Sequence, residues 1–281
     1  MFLAEPQQTR FDLNFSLLGI PVRISPFFWV LALVFGWGLT DGLPLLLALW
    51  VIAVLVSLMV HEFGHALAFR ACGIQARVVL YHFGGLAIPE GSSWWVGAGR
   101  MAPRQQIFIS AAGPVAQLAL AAVILAIVRA SGHVIIWPRS LLGVEFPFDF
   151  YGLVPPEVLW GSGNPPAIAI DPLNDLLLFL VLPSVFWAVL NLIPVYPLDG
   201  GQIAREVCVV LDPRSGIRNS LILSIVAGAL VGVGGLMIRE WYLGIMFGML
   251  AFSSYQLLQA YSGRGGGFGG GPWGGGGGGP W

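Results

Sequence analysis

Long apolar runs separated by short polar stretches dominate the pattern of hydrophobic and polar positions along this chain. A transmembrane helix needs about 20 mostly apolar residues, and six runs come near or exceed that length. They lie at residues 26–40, 43–70, 105–130, 173–192, 217–238 and 240–261. The first run is short, and its closeness to the second favours a tight helical hairpin. The pattern therefore predicts an all-α polytopic membrane protein with about six transmembrane helices.

The stretch after the second apolar run has a different pattern. Its sequence, ARVVLYHFGGLAIPE, is rich in β-branched and aromatic side chains and is interrupted by Gly84 and Gly85. This composition predicts a small β-hairpin or sheet after the second helix. The end of the chain consists almost entirely of glycine, which is typical of a disordered tail. The predicted organisation is an N-terminal cytosolic segment (1–25), a membrane domain (26–262) and a disordered glycine-rich tail (263–281).

Composition supports the membrane interpretation and excludes one class of partner. The chain is 57% hydrophobic and only 10% charged, whereas about a quarter of the residues in soluble domains are charged. The net charge of -1 provides no attractive field for nucleic acid, so no nucleic-acid partner is expected. The two cysteines are too few for a disulfide framework, and we expect them to pack as free thiols.

The positions of the arginines predict how the spans are oriented. If the N-terminus lies inside the cell, ten of the 13 basic residues fall in inside segments, and only Arg129, Arg139 and Arg239 lie outside. Cytoplasmic segments of membrane proteins carry the excess of basic residues, so both termini are predicted to be cytosolic. The outside loop 131–172 is dense in proline and aromatic residues, which suits the membrane interface. The short architecture, with few domains, indicates a bacterial cytoplasmic membrane protein.

Three ionisable side chains stand together in the second apolar run, in the sequence HEFGH. Because positions i and i+4 lie on one face of a helix, His61 and His65 can both direct a ring nitrogen at one metal ion about 2.0–2.1 Å away. Glu62 is displaced around the helix and can contact a water at the metal without binding the metal itself. These residues could instead be satisfied core polar groups or a chance match. Ionisable groups inside a membrane are costly and usually functional, so a metal site is the better interpretation.

A catalytic zinc site needs a third protein ligand and an open position for water. His133 is predicted to lie outside, at the wrong depth. Glu145 and Asp149 have a spacing that some zinc proteases use on a helix, but Pro147 lies between them and their loop is on the far side. Asp199, in NLIPVYPLDGGQIARE, is the better candidate, because the fourth span ends there, at the depth of the histidines and on the same side of the membrane.

We expect Asp199 to lie on non-helical backbone. Pro194 and Pro197 end the preceding helix and favour an extended path, and the two glycines after Asp199 allow a sharp turn. Irregular backbone at membrane depth is tolerated where it is buried in protein or lines a wet cavity. An alternative role for Asp199 is to cap a helix that starts near Gln202.

Together these motifs resemble one known family. HEFGH in one span and N-x-x-P-x-x-P-L-D-G in a later span are similar to the two motifs of the site-2 proteases, a family of intramembrane zinc metalloproteases. The resemblance covers residues 29–261 in motif order, motif spacing and number of spans. It implies a hydrolase that cleaves membrane-protein substrates within or near the bilayer, as in regulated intramembrane proteolysis.

The resemblance also implies roles for individual residues. By position, His61, His65 and Asp199 would bind one Zn²⁺ ion per chain, and Glu62 would be the general acid/base. Asn191 matches the asparagine that precedes the prolines of the family motif and would help to hold the substrate or the oxyanion. Asn191 could equally be a helix-end amide that bonds the carbonyls freed around the first proline.

Two shorter segments match the family less closely. AAGPVAQ, residues 111–117, is similar to the Gly-Pro segment of the third span, but Gln117 stands where asparagine is usual. Close helix packing at Gly113 is the simpler interpretation of this segment. FGG, whose glycines are Gly84 and Gly85, is similar to the glycine-containing loop that follows the catalytic helix. Its strand would receive an unfolded substrate by β-addition, which would expose the scissile bond.

The chain resembles a minimal form of the family, because neither loop is suited to a PDZ domain and the tail is no nucleotide-sensing (CBS) module. Regulation would then come from a membrane partner or from presentation of a substrate with an unwound transmembrane segment. Other membrane zinc proteases with H-E-x-x-H use a downstream helical glutamate as third ligand, and no acceptable glutamate is present. A transporter would spread polar groups over several spans, and an inactive scaffold relative would lack some of the ligands or the glutamate.

Overall fold

The fold is described from a computed structural model of the chain, for residues 7–40, 42–81, 84–90, 101–131, 140–141, 144–145 and 171–263. The helices in this part of the chain are α1 (Pro26–Leu39), α2 (Pro44–Ala71), α3 (Pro103–Ala130), α4 (Asp171–Leu192), α5 (Asp199–Leu211), α6 (Gly216–Met237) and α7 (Trp241–Gly263). Within the described ranges, α2, α3, α4, α6 and α7 are long and apolar enough to cross a membrane, and α1 is a shorter apolar helix. The prediction of a mainly helical, polytopic membrane protein is confirmed.

Helix α2, which carries HEFGH, is bounded by a proline and a glycine. Pro44 stands at its first position, where the missing N–H would have had no helical partner. At the other end Gly73 has φ +78°, which favours glycine. The N–H of Gly73 donates to the carbonyl of Arg70, and that of Ile74 donates to the carbonyl of Phe69, both at 3.0 Å. This Schellman arrangement ends the helix and turns the chain back beside α2.

A four-stranded sheet lies next to α2. Its strands are β1 (Leu13–Leu17), β2 (Ile20–Ile24), β3 (Ala76–Tyr81) and β4 (Gly84–Pro89), in the order β1-β2-β3-β4. Strands β1 and β2 are antiparallel, β2 and β3 are parallel, and β3 and β4 are antiparallel. The sheet predicted after the second helix is present as β3 and β4, and the segment 1–25 adds two strands that the sequence pattern alone did not predict. A separate antiparallel pair consists of β5 (Ser140–Leu141) and β6 (Val144–Glu145).

One face of the sheet packs against the second half of α2. Ile20, Val22 and Ile24 of β2 are only 2–3% exposed, and Val78 and Leu80 of β3 are fully buried. They form one hydrophobic core with side chains of α2, α1 and α3, namely Leu58, Phe63, Ala66, Phe69, Phe28 and Ile109. The sheet is therefore fixed beside the half of α2 that contains HEFGH.

Helices α2, α3 and α4 meet at small and polar residues. A Cβ on Gly64 of α2 would lie 2.5 Å from the carbonyl oxygen of Ala112 on α3, so only glycine permits this approach of the two helices. Ser184 of α4 donates a hydrogen bond of 2.9 Å to Oγ of Ser57 on α2. The close packing brings polar side chains of all three helices together in an otherwise apolar region.

Candidate metal centre

Helix α2 presents two histidines at one point. His61 and His65 are 3% and 8% exposed, and their Nε2 atoms lie 3.0 Å apart. The spacing of four residues produces this geometry, because such positions are neighbours on one face of a helix. The same nitrogen of each ring is therefore available to one shared ion.

Asp199 brings a third ligand atom to this point from α5. Its Oδ2 lies 3.2 Å from Nε2 of His61, and its Oδ1 lies 3.4 Å from Nε2 of His65. The structure corrects the expectation of non-helical backbone, since Asp199 is the first residue of α5 and Leu198 holds the N-cap position. The helix starts at Asp199 and not near Gln202, and the carboxylate faces the two histidines.

The two glycines after Asp199 serve close packing and not the sharp turn that was expected. Neither of them has a positive φ. A Cβ on Gly200 would collide with the carbonyl oxygen of Leu192, and a Cβ on Gly201 would collide with the backbone nitrogen of Tyr196. The start of α5 therefore lies directly against the chain that leaves α4, and this contact fixes the position of Asp199.

The connection between α4 and α5, residues 193–198, is irregular, as its prolines predict. Its backbone groups find partners on other helices. The N–H of Tyr196 donates to Oγ of Ser224 on α6 at 3.0 Å, and Oγ of Ser254 on α7 donates to the carbonyl of Tyr196 at 3.3 Å. Irregular backbone at membrane depth needs such internal partners. Helices α6 and α7 thus support the segment that delivers Asp199.

A hydrogen bond behind the ring of His65 decides which of its nitrogens faces the centre. Nδ1 of His65 lies 2.7 Å from the carbonyl oxygen of Ile109 on α3. A carbonyl oxygen can only accept, so Nδ1 carries the proton in this bond and Nε2 keeps its lone pair for a metal.

Gln117 of α3 orients His61 in the same way. Nδ1 of His61 lies 2.8 Å from Oε1 of Gln117, and Nε2 of Gln117 lies 3.2 Å from the carbonyl oxygen and 2.9 Å from Oγ of Ser57. Because the Ser57 carbonyl can only accept, the amide nitrogen of Gln117 faces Ser57 and the amide oxygen faces His61. Nδ1 of His61 therefore donates, and its Nε2 is unprotonated.

The donor set and its spacing fit a zinc ion. The two Nε2 atoms lie 3.0 Å apart, and each has one carboxylate oxygen of Asp199 at 3.2 or 3.4 Å. Ligands of a tetrahedral zinc site with bonds of about 2.0–2.1 Å are roughly 3.3–3.4 Å apart. A Cβ on Gly113 of α3 would collide with Nε2 of His65, so the absence of a side chain keeps space open beside this ligand atom. Two neutral imidazoles and one carboxylate would leave the fourth position of the ion free.

Glu62 lies beside the three candidate ligands and under the edge of the sheet. Its side chain is 4% exposed, and the backbone N–H of Ala87 on β4 donates to its carboxylate. A Cβ on Gly85 would collide with the Glu62 side chain. Strand β4 can therefore approach the glutamate only because position 85 is glycine.

Comparison with known proteins identifies the family. The family model for Peptidase family M50 matches residues 49–233, which is more than half of the chain and includes both motifs of the site. The chain belongs to peptidase family M50. This membership confirms the resemblance to the site-2 proteases and the assignment to a metalloprotease family, and the family implies that the metal is zinc.

Two individual proteins are similar to this chain. A Synechocystis sp. protein named as a zinc metalloprotease is 28% identical over 243 residues, which are 82% of this chain and 52% of that protein. The chain thus spans about half the length of this relative. The Site-2 Protease from Methanocaldococcus jannaschii shares the fold, with a TM-score of 0.52 and 21% identity over 88% of this chain and 94% of that chain.

The two remaining predicted site residues, Asn191 and Gly84, belong to α4 and β4. Asn191 is half-buried in the last turn of α4, and its side chain forms no hydrogen bond with any other residue that the structure describes. The alternative role of Asn191 as a helix-end cap therefore has no support here. Gly84 has φ +123° and lies against α4, where an added Cβ would be 3.2 Å from Cζ2 of Trp187.

The sequence did not show that Gln117 and three serines orient the candidate ligands or hold the segment before Asp199; for Gln117 it showed only an unusual amide. Gln117 and Ser57 act behind His61, and Ser224 and Ser254 hold the segment before Asp199. The available signal was a polar side chain inside an apolar span, since such groups are rare and usually functional there. Gln117 carried this signal, whereas the serines are too common in transmembrane helices to be informative.

We expect Gln117→Leu to weaken zinc binding about 10- to 100-fold, as is typical when the partner behind a metal-binding histidine is removed. Leucine is similar in size to glutamine but cannot accept the proton of Nδ1 of His61. The measurement is competition for zinc with a chelator of known affinity. Gln259→Leu is the matched control, because Gln259 is exposed on α7. An unchanged zinc affinity in Gln117→Leu would contradict the orienting role.

Proposed function

We propose that this chain hydrolyses peptide bonds of membrane-protein substrates within or near the bilayer. One zinc ion per chain would be held by His61, His65 and Asp199, and Glu62 would be the general acid/base. The observation that carries the proposal is the convergence of ligand atoms from three buried residues, all within 4.8 Å of one another, beside a buried glutamate and among helices long enough to cross a membrane.

The zinc ion and Glu62 would carry out different parts of the hydrolysis. Zinc, when bound, lowers the pKa of water towards neutrality and polarises the scissile carbonyl. The Glu62 carboxylate accepts the proton of the attacking water and then donates it to the nitrogen of the leaving amine. The hydrogen bond from the Ala87 N–H holds this carboxylate in place. The base Glu62 and the ligands His61 and His65 would then stand on one helix, and Asp199 would complete the metal site from α5.

The open edge of β4 is our proposed substrate-binding site. The N–H of Glu90 donates to the carbonyl of Gln75 next to β3. Because the backbone groups of successive residues point to alternate edges of a strand, those of Gly85 and Ala87 point to the opposite, outer edge of β4. That edge faces Glu62. A substrate strand added there would lie along the site with its scissile bond extended, and the contact of Gly85 with Glu62 sets how close it can come. A substrate segment must unwind from its helix before it can bind in this way.

Asn191 is proposed to hold the substrate or the oxyanion. It precedes Leu192, whose carbonyl oxygen lies directly against Gly200 in the first turn of α5. The last turn of α4 is therefore next to the turn that carries Asp199. An amide at this place, with no other described partner, is available to donate to a substrate carbonyl.

We also propose that the site opens towards the cytosol of a bacterial cell and that both termini lie on that side. The proposal rests on the arginine distribution, including Arg70 at the end of α2 that follows HEFGH. Protection of the glycine-rich tail from added protease in intact cells, with digestion after permeabilisation, would support this orientation. Digestion in intact cells would contradict it.

Metal removal tests the proposed function. We expect the full chain, reconstituted in liposomes with a model substrate that contains one transmembrane segment, to cleave that segment. A chelator should abolish cleavage, and added zinc should restore it, because the metal is needed both for water activation and for carbonyl polarisation. Proline substitutions next to the scissile bond should also block cleavage, because proline cannot donate a backbone hydrogen bond to the edge of β4. Cleavage that persists in zinc-free protein would overturn the proposal.

A further inference from the structure

Strand β1 exposes an apolar face that the metal site does not use. Leu13, Phe15 and Leu17 alternate with Asn14 and Ser16 along the strand, so the three apolar side chains lie on one face and the two polar ones on the other. Leu13 is 52% exposed, Phe15 44% and Leu17 46%. An apolar strand face of this length, open to its surroundings, indicates an interaction surface.

The pairing of β1 with β2 shows which way this face points. Residues directly opposite each other in an antiparallel pair have their side chains on the same face of the sheet. The opposite pairs are Leu13 with Ile24, Phe15 with Val22 and Leu17 with Ile20. These β2 residues are the buried ones that pack against α2. The apolar face of β1 is therefore on the helix side of the sheet, but it extends past the helices that cover β2.

The position of the hairpin places this face beside the membrane-spanning part of the protein. Both terminal nitrogens of the Arg70 side chain donate at 3.1 Å to the turn of the hairpin, at the carbonyls of Leu18 and Gly19, so the turn is fixed at the end of α2. The other end of β2 leads through Ser25 into the apolar helix α1. The face of β1 thus lies at the border between the spans and their surroundings.

The opposite face of the hairpin carries a largely buried ion pair, and a charged group lies at the start of the hairpin. Asn14 pairs across the sheet with Arg23, whose guanidinium lies 3.1 Å from the Asp12 carboxylate. At the start of the hairpin the guanidinium of Arg10 stacks over the exposed ring of Phe11 at 4.8 Å. An aromatic ring next to an arginine is typical of the boundary between lipid and water, where the ring is immersed and the charge meets headgroup phosphates.

We propose that the β1–β2 hairpin is a membrane-interface anchor. Leu13, Phe15 and Leu17 insert into the leaflet on the side where α2 ends, among the upper acyl chains of the phospholipids, while Asn14 and Ser16 face away from the lipid. The edge strand β1 is then held by lipid, and the opposite edge strand, β4, contacts Glu62. The anchor consequently fixes the depth of the strand edge next to the metal centre, independently of which substrate binds there.

Spin-label accessibility tests the anchor on the full chain. Residues 13–17 are changed singly to cysteine in a background with Cys72→Ser and Cys208→Ser, labelled with a nitroxide and reconstituted in phosphatidylcholine/phosphatidylglycerol vesicles. We expect collisions with oxygen, which is enriched in the bilayer, to be high at 13, 15 and 17. Collisions with a water-soluble nickel complex should be high at 14 and 16. Labels at Leu230, exposed on the spanning helix α6, and at Arg214, exposed in the turn before it, provide the lipid and water references.

Each outcome of this experiment decides the proposal. Opposite periods of two for oxygen and nickel would support the anchor, and the polar positions of the same strand are the internal control for folding. Equal access of nickel to all five positions would overturn it. Protection of 13, 15 and 17 from both reagents would also overturn it, because protein would then cover the face, and dipolar broadening between labels would identify a second copy as the cover. None of these results depends on peptide cleavage.

Discussion

Glu62→Gln is expected to abolish peptide cleavage and to leave zinc binding unchanged. Glutamine has nearly the same shape as glutamate, and its amide oxygen can still accept the hydrogen bond from Ala87, so the helix and the strand edge should stay in place. It cannot accept a proton from water at neutral pH. Loss of general acid–base catalysis typically reduces the rate about 10²- to 10⁴-fold, which would place cleavage near the detection limit.

Two measurements on the same reconstituted protein check this expectation, namely the turnover number on a transmembrane substrate and the zinc content per chain. Glu240→Gln is the matched control, because Glu240 is partly buried between α6 and α7, outside the centre. Full cleavage by Glu62→Gln would refute the proposed mechanism. Loss of zinc together with cleavage would instead assign Glu62 to the metal ligands.

The helices of this protein could be predicted from the sequence because each long apolar run is a local signal. The strands β1 and β2 could not, and the reasons are physical. Pro21 interrupts the β2 pattern, and a proline within a run weakens a strand assignment. The turn uses Leu18 and Gly19, with φ of 52° and 71°, where asparagine-glycine would be the usual signal for such a turn. In addition, the second edge of β2 pairs with β3, which lies far away in the sequence.

In the candidate site, too, some features depend on one segment of the chain and others on the packing of distant segments. HEFGH could be interpreted because its geometry depends on one helix alone. The start of α5 at Asp199 could not be predicted, because Gly200 and Gly201 look like turn residues until the chain leaving α4 is seen packed against them. The role of Gln117 depends on how α3 crosses α2, so the sequence could only show an amide in an unexpected place.

Asp199→Ala is expected to lower zinc affinity more than any substitution behind the ligands. Two histidines would remain, and protein zinc sites of this kind use three protein ligands. The loss should exceed the roughly 10- to 100-fold effect typical of partners behind a ligand, and cleavage should disappear with the metal. Asp199→Asn tests the charge of the side chain separately from its size, because it keeps the size and removes the negative charge that compensates the ion. We expect Asn at this position to bind zinc more weakly than Asp and more strongly than Ala.

Zinc content after dialysis and competition with a chelator would measure these differences. Asp212→Ala is the matched control, since Asp212 follows α5 and its carboxylate accepts hydrogen bonds from the N–H groups of Arg214 and Ser215 in the turn before α6. That variant should disturb a surface turn and leave the metal in place. Equal zinc affinity in Asp199→Ala and the unchanged protein would remove Asp199 from the ligand set. The third ligand would then have to come from another group near His61 and His65, and the contact of α5 with α4 would be only structural.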